Sequence, residues 1–218
     1  MKIFVTGVSG GVGQAVVQQL SGCHEVVAPT RTEFDLNNFD AIDQLDLSSY
    51  DVVINCAGAN PAAFLGWQKN TWTNQVIQVN VNFTAALLLV KQYTRQRQTG
   101  QFIYITSTNV DDPIAYNIFY TGAKAALRYS VNAIRKECPG ILFTEICPGK
   151  IKSRMLEQNY QGTKTAEEIE KLYAKSPYLE AEKIARVIED AIKYKLDQVT
   201  IIPHDQKTIQ NSSITPYT

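Results

Sequence analysis

Ser107, Tyr120 and Lys124 are the residues of this chain whose types and spacing could do chemistry together. Tyr120 and Lys124 stand four apart, so on a helix their side chains share one face. Ser107 directly follows the apolar run Phe102-Ile103-Tyr104-Ile105-Thr106, which reads as a strand. A phenol with a pKa of about 10 is a poor base at neutral pH unless a nearby cation favours its ionised form, and Lys124 can be that cation. In a chain with 11 tyrosines one Tyr-x-x-x-Lys pair carries little weight. A second pair, Tyr160 and Lys164, encloses Gly162, lacks a strand-end serine upstream, and reads as a flexible loop.

A second site lies at the start of the chain. The short apolar run from Met1 to Thr6 reads as a strand, Gly7, Gly10, Gly11 and Gly13 as a tight turn, and the apolar pattern through Leu20 as a helix. Glycines let the backbone approach a pyrophosphate closely, and the free N–H groups of the following helix face the anion. A glycine turn occurs in many α/β proteins, but after the first strand it stands where a dinucleotide fold places it.

The elements that would carry these sites alternate. Glu25 to Ala28 predicts a second strand, Asn37 caps a short helix through Leu45, and Asp51 to Asn55 predicts a buried strand stopped by Ala57-Gly58. Asn60 to Thr71 reads as a loop, Asn74 to Arg97 as one long helix, and Tyr120 to Arg135 as the core of another. Ile141 to Cys147 is a strand ended by Pro148-Gly149. A modest helical pattern spans Ala166 to Ala174, a clear amphipathic helix Ala181 to Leu196, and a last strand Val199 to Ile202. Strands alternating with helices imply an α/β, doubly wound parallel sheet of the Rossmann type in a single domain spanning 1–218, with a polar tail at 208–218.

Bulk properties narrow the partners. A formal net charge of zero leaves no electrostatic footprint for nucleic acid or an anionic membrane surface. The longest later apolar run, Ala85 to Val90, is too short to span a bilayer, and no signal peptide is legible, so a cytoplasmic protein is expected. Cys23, Cys56, Cys138 and Cys147 have neither metal nor disulfide-scaffold spacing and read as reduced, mostly buried thiols. His24 and His204 lack partners spaced for a metal, so no metal site is expected.

Thr6-Gly7-(x)3-Gly11-x-Gly13, Asn55-Cys56-Ala57-Gly58, Ser107, Tyr120-(x)3-Lys124 and Pro148-Gly149, in this order, closely resemble a short-chain dehydrogenase/reductase. The resemblance covers residues 1 to about 155 by motif and the rest by element order. Gly7, Gly10 and Gly13 also satisfy the T-G-x-x-G-x-x-G spacing of the related epimerase and dehydratase branch; chain length and the short interval from Ser107 to Tyr120 favour the short-chain branch.

The resemblance implies an oxidoreductase that interconverts a carbonyl and an alcohol on a small molecule. Tyr120 would be the acid/base, Ser107 would bond the substrate oxygen, and Lys124 would hold the nicotinamide ribose. An asparagine of the middle helix would complete the set; Asn80, within Val76-Ile77-Gln78-Val79-Asn80-Val81, is favoured over Asn82. Thr6, Gly7, Ser9, Gly10, Gly11, Val12 and Gly13 would bind the phosphates, Asp35 and Leu36 the adenine, and Asn55, Ala57 and Gly58 would shape the strand end beside the cofactor. Pro148, Gly149, Ile151 and Ser153 would lie by the nicotinamide, with the Ser153 hydroxyl on its carboxamide. The region 154–180 would form a substrate lid, and a homodimer or homotetramer would pack through the middle helix and the Tyr120 helix.

Cofactor choice depends on the end of the second strand. Ala28-Pro29-Thr30-Arg31 holds no acid there, and Arg31 could pair with a 2′-phosphate through its planar fork of donors, favouring NADP(H) over NAD(H). Gly10 weakens that preference, because many NADP-using relatives carry a base at its position. Two further readings compete: a sugar-nucleotide epimerase or dehydratase, and a nucleotide-sensing protein without chemistry. Such sensors commonly lose the tyrosine or lysine, and this chain keeps both.

Overall fold

The computed structural model describes residues 1–160, 162–175 and 177–201. The tail at 208–218, His204 and the end of the last predicted strand lie outside them. Six strands, β1 (Lys2–Thr6), β2 (Glu25–Val27), β3 (Val52–Asn55), β4 (Gly100–Ile105), β5 (Ile141–Pro148) and β6 (Gln198–Ile201), form one sheet in the order β2-β1-β3-β4-β5-β6. Every pairing is parallel, with Thr6 opposite Asn55, Asn55 opposite Tyr104, and Ile105 opposite Ile146. The chain runs outward from β1 to β2 and then returns past β1 to β3. That reversal opens a crevice at the carboxyl ends of β1 and β3, where open α/β sheets bind ligands.

Both faces of the sheet are covered, which is why β3 to β5 read as nearly continuous apolar runs. On one face α1 (Gly11–Leu20) and α8 (Ala181–Tyr194) bury Val16, Leu20, Ile184, Ile188 and Ile192 against Ile3, Val5, Ile54 and Ile103. On the other, α2 (Phe39–Asp43), the middle helix and α5 (Ile118–Glu137) bury Ile42, Leu89, Tyr93 and Leu127 against Phe4, Val53, Phe102 and Phe143. The run Ala85 to Val90 is a core face: Ala85, Ala86, Leu89 and Val90 are all buried.

The middle helix is not one uniform α-helix. It runs as α3 (Trp72–Val79), a π-helical turn over Asn80–Thr84, and α4 (Ala85–Gln96), with Ala85 N–H reaching back to the Asn80 carbonyl. The predicted loop 60–71 contains a short 3₁₀ turn, Ala63–Leu65, and the polar stretch after β5 contains α6 (Arg154–Asn159) and α7 (Ala166–Lys175). No helix among the described residues is long and apolar enough to cross a membrane. All four cysteines are free, but they are not mostly buried: Cys147 is buried, Cys56 and Cys138 half-buried, and Cys23 exposed.

Candidate active site

The glycine turn owes its shape to two of its four glycines. Gly7 has φ +77°, and a Cβ there would lie 2.5 Å from the Ala57 nitrogen; a Cβ at Gly13 would run into the Gly7 carbonyl. Gly7 and Gly13 therefore let β1, β3 and α1 close on one another. They are the two positions shared by both glycine spacings, whereas a Cβ at Gly10 would make only ordinary contact and one at Gly11 none. Gly10 caps α1 without a side-chain hydrogen bond, and the first turn carries no acid. A helix N-terminus left this way suits an anionic pyrophosphate in both hydrogen bonding and charge. Ser9, Gly10 and Gly11 are exposed at its rim, Val12 is half-buried, and Thr6 lies beneath.

Buried Asn55 holds the strand ends together. Its Oδ1 accepts from Thr6 Oγ1 at 2.6 Å and from Ala57 N–H at 3.2 Å, fixing the backbone that leads into Gly58. A Cβ on Gly58 would meet Met155 Cε at 3.1 Å, Asn82 Oδ1 at 3.2 Å and Lys124 Nζ at 3.8 Å. Three side chains from separate elements thus converge on this one residue.

The asparagine at that point is Asn82, whereas Asn80, favoured in the sequence, is not among the groups that meet Gly58. Asn82 is fully buried; its Nδ2 donates to Ala59 O at 2.6 Å and Gln78 O at 2.7 Å, and its Oδ1 accepts from Ala59 N–H at 3.3 Å. The π-helical turn explains the exchange. It inserts a residue into the helical count, so the face presented to the sheet is shifted, and the Asn82 amide takes up a carbonyl within the disturbed ladder. Asn80 is half-buried and contributes its carbonyl to that turn.

Ser107 lies just past β4, where its Oγ accepts from Asn109 N–H at 3.2 Å and starts a 3₁₀ turn over Thr108–Val110. On α5, the Tyr120 phenol lies within electrostatic reach of the Ser107 hydroxyl, and Lys124 Nζ donates to Ile105 O at 2.7 Å while lying 5.8 Å from the centre of the Tyr120 ring. The structure therefore brings Ser107, Tyr120, Lys124, Asn82 and Gly58 to one end of the sheet. Burial pushes the Tyr120 phenol up to about 12; the nearby Ser107 hydroxyl works against that rise, and neighbouring Cys147 adds to it. Burial brings Lys124 down to about 8, opposed by Cys56, whose own thiol burial raises to about 12. In the protein alone Lys124 is thus held to the Ile105 carbonyl, and the phenol is a protonated acid.

The remaining expected residues form two groups. Arg31 is exposed and Asp35 half-buried, paired at 3.7 Å beyond β2; Asp35 also accepts from Asn37, and Leu36 is buried in the core. Glu33 was not foreseen there. Its carboxylate accepts from both the N–H and the hydroxyl of Thr30 at 2.8 Å, and these bonds hold it below the usual carboxylate range. The signal was present as Thr30-x-x-Glu33, the spacing of a capping box. At the other end, Pro148 and Gly149 finish β5, Gly149 N–H bonds Ile201 O, Ile151 pairs with Leu179, and Ser153 begins α6. Through Met155, α6 touches the site; Ala62 N–H bonds Gln158 O, and Tyr160 stacks on Phe64 at 4.4 Å. The second Tyr-x-x-x-Lys pair is therefore a packing contact, with Lys164 over the Tyr160 ring.

A sequence model described as short chain dehydrogenase matches residues 34–164, a span that includes Asn55 to Gly58, Ser107, Tyr120 and Lys124. The chain belongs to the short-chain dehydrogenase/reductase family. A protein of Staphylococcus saprophyticus named as an uncharacterized oxidoreductase is 25% identical over 87% of this chain and 89% of its own. The human dehydrogenase/reductase SDR family member 7 is 24% identical over 76% of this chain and 59% of its own. Among solved structures, a small-chain dehydrogenase in complex with NADPH superposes with a TM-score of 0.76, covering 93% of this chain and 95% of that one at 21% identity, which reports on the fold. As a family member, the chain is an NAD(P)-dependent dehydrogenase/reductase.

Proposed function

We propose that this short-chain dehydrogenase/reductase interconverts a small-molecule carbonyl and its alcohol, with Tyr120 as the acid/base and NADP(H) preferred over NAD(H). The observation that carries the reading is the Ser107, Tyr120, Lys124 cluster at the carboxyl end of β4, closed by Asn82 and Gly58. A bound nicotinamide supplies or accepts the hydride. The chain's own residues handle the oxygen and its proton.

In the reducing direction Tyr120 gives its proton to the carbonyl oxygen as charge develops there, and a phenol pushed up to about 12 holds that proton throughout the neutral range. Ser107 donates to the same oxygen and afterwards to the phenolate, consistent with its lowering influence on the Tyr120 pKa. Lys124, near its own titration point, holds the ribose hydroxyls and takes part in returning the proton; Asn82, rather than Asn80, anchors the path to it. The first-turn N–H groups of α1 hold the pyrophosphate and Arg31 the 2′-phosphate, while Ser153 bonds the carboxamide. Residues 154–180 act as the lid, a role supported by the Met155 contact with Gly58. Exposed Trp72, Ile118 and Tyr129 on α3 and α5 support association of copies through that face.

The test is Tyr120→Phe assayed over a panel of ketones and aldehydes by NADPH absorbance, alongside NADPH binding by fluorescence. Turnover is expected to vanish while binding stays within about twofold of wild type. A variant that keeps full turnover rejects the assignment.

A further inference from the structure

Two charges lie in the core outside the machinery described above. Arg128 and Glu145 are 8 % and 2 % exposed, and charged side chains at that depth are rare unless they are paired. Arg128 is the next residue on the α5 face that carries Tyr120 and Lys124, at the same four-residue spacing. Its Nε donates to Glu145 Oε1 at 2.6 Å, its Nη1 to Asp111 Oδ1 at 2.5 Å and its Nη2 to Cys147 Sγ at 3.2 Å. The same Glu145 oxygen accepts from the hydroxyl of Thr106.

These partners bracket Ser107. Thr106 precedes it, and Asp111 follows the 3₁₀ turn in which Val110 N–H bonds Ser107 O and Asp111 N–H bonds Thr108 O. We propose that Arg128 is a positioning residue for the reaction: through Glu145 and Thr106 on one side and Asp111 on the other, its guanidinium fixes the Ser107 segment against the helix that carries Tyr120 and Lys124. The planar fork suits this task because three nitrogens reach three side chains, two on β5 and one on the turn after Ser107, in fixed directions, which a lysine could not do. The proposal rests on the catalytic assignment of Ser107, Tyr120 and Lys124 made above. A misplaced hydroxyl at a reacting oxygen lowers the rate more than it weakens binding.

Removing Arg128 itself would strand the buried Glu145 charge and endanger folding, so the test cuts the clamp at its exposed end. The Asp111 side chain is 66% exposed. Asp111→Ala is compared with Asp112→Ala, the same change one residue away, and with Asp111→Glu, which keeps the carboxylate. Amide exchange at Asn109 and Val110 is measured together with kcat and the KM for NADPH on the panel carbonyl that wild type turns over fastest. Asp111→Ala should speed exchange at both amides and lower kcat, each by about tenfold, at an unchanged denaturation midpoint and NADPH KM; Asp112→Ala should do neither, and Asp111→Glu should restore part of both. Wild-type exchange and kcat in Asp111→Ala, or equal effects from Asp112→Ala, would overturn the clamp. Tyr120→Phe run in parallel separates the two readings. If it retains turnover the catalytic assignment falls, and the exchange arm still decides whether Arg128 and Asp111 hold the segment.

Discussion

Lys124 Nζ donates to the Ile105 carbonyl oxygen at 2.7 Å from a side chain only 3 % exposed. One backbone dipole does not replace the water that an ammonium loses on burial, which is why this lysine titrates near 8. The free protein consequently holds a cation in a place that disfavours it. The proposed function gives that cation its use: acting on the Tyr120 phenol and on the bound nicotinamide ribose.

That burial makes stability depend on pH. Lys124 is depressed to about 8 from an ordinary value of 10.5, so between those limits the unfolded chain binds a proton that the folded chain has released. Stability therefore rises with pH through this window, by about 1 kcal/mol between pH 7 and pH 9. Cys56, raised from 9.0 to about 12, acts in the opposite sense above pH 9, as does Tyr120 from about pH 10. Lys124→Met removes only the lysine contribution and is the reference. Urea denaturation at pH 7 and pH 9 should show the rise in wild type and not in the variant; equal pH dependence in both would refute it.

The choice of asparagine is open to a paired substitution. Asn82→Ala orphans the Ala59 carbonyl and amide beside Gly58, and a buried backbone group left without a partner costs about 1–3 kcal/mol. It should lower kcat by about 10²-fold and the melting temperature by several degrees, whereas Asn80→Ala should keep kcat within about threefold. Steady-state NADPH oxidation on one carbonyl and a thermal melt are sufficient. A larger kcat loss in Asn80→Ala would restore the expectation read from sequence.

Asn80 was the expected residue because its neighbours Val76 to Val81 resemble the family's usual surroundings, and the π-helical turn at Asn80–Thr84, which has no hydropathy signature, was not legible in them. Ser107, Tyr120 and Lys124 were legible for the converse reason: a strand end and one helical turn are short, regular intervals that packing does not alter. The alternation of strands and helices was legible too, since a parallel sheet covered on both faces leaves continuous apolar runs. The bracket around Ser107 was not read, although it left a trace. Glu145 interrupts the apolar strand Ile141–Pro148 and Arg128 interrupts the apolar face of α5, each a local conflict that the other resolves across 17 residues of sequence. Glu33 was passed over because the acid was sought at the end of the strand, Ala28 to Arg31, two residues short of it.

The proposed preference for NADP(H) rests on Arg31, with Glu33 in the same turn carrying the opposite charge. Arg31 makes only a long, exposed pair with Asp35, which is worth little and leaves the guanidinium free to meet a phosphate dianion. The Glu33 carboxylate is occupied by Thr30, so it accepts no ribose hydroxyl without giving up those bonds, yet its charge still repels a 2′-phosphate. Arg31→Ala should therefore lower the ratio of kcat/KM for NADPH over NADH by about tenfold, and Glu33→Gln should raise it by about threefold. Both effects should shrink in 0.5 M salt, because these charges face solvent and are screened within a few ångströms at that ionic strength. The measurement is the ratio for wild type and both variants at low and high salt. A ratio that Arg31→Ala leaves unchanged would remove the basis for preferring NADP(H), and an equal fall in both cofactors would make Arg31 a residue of the turn alone.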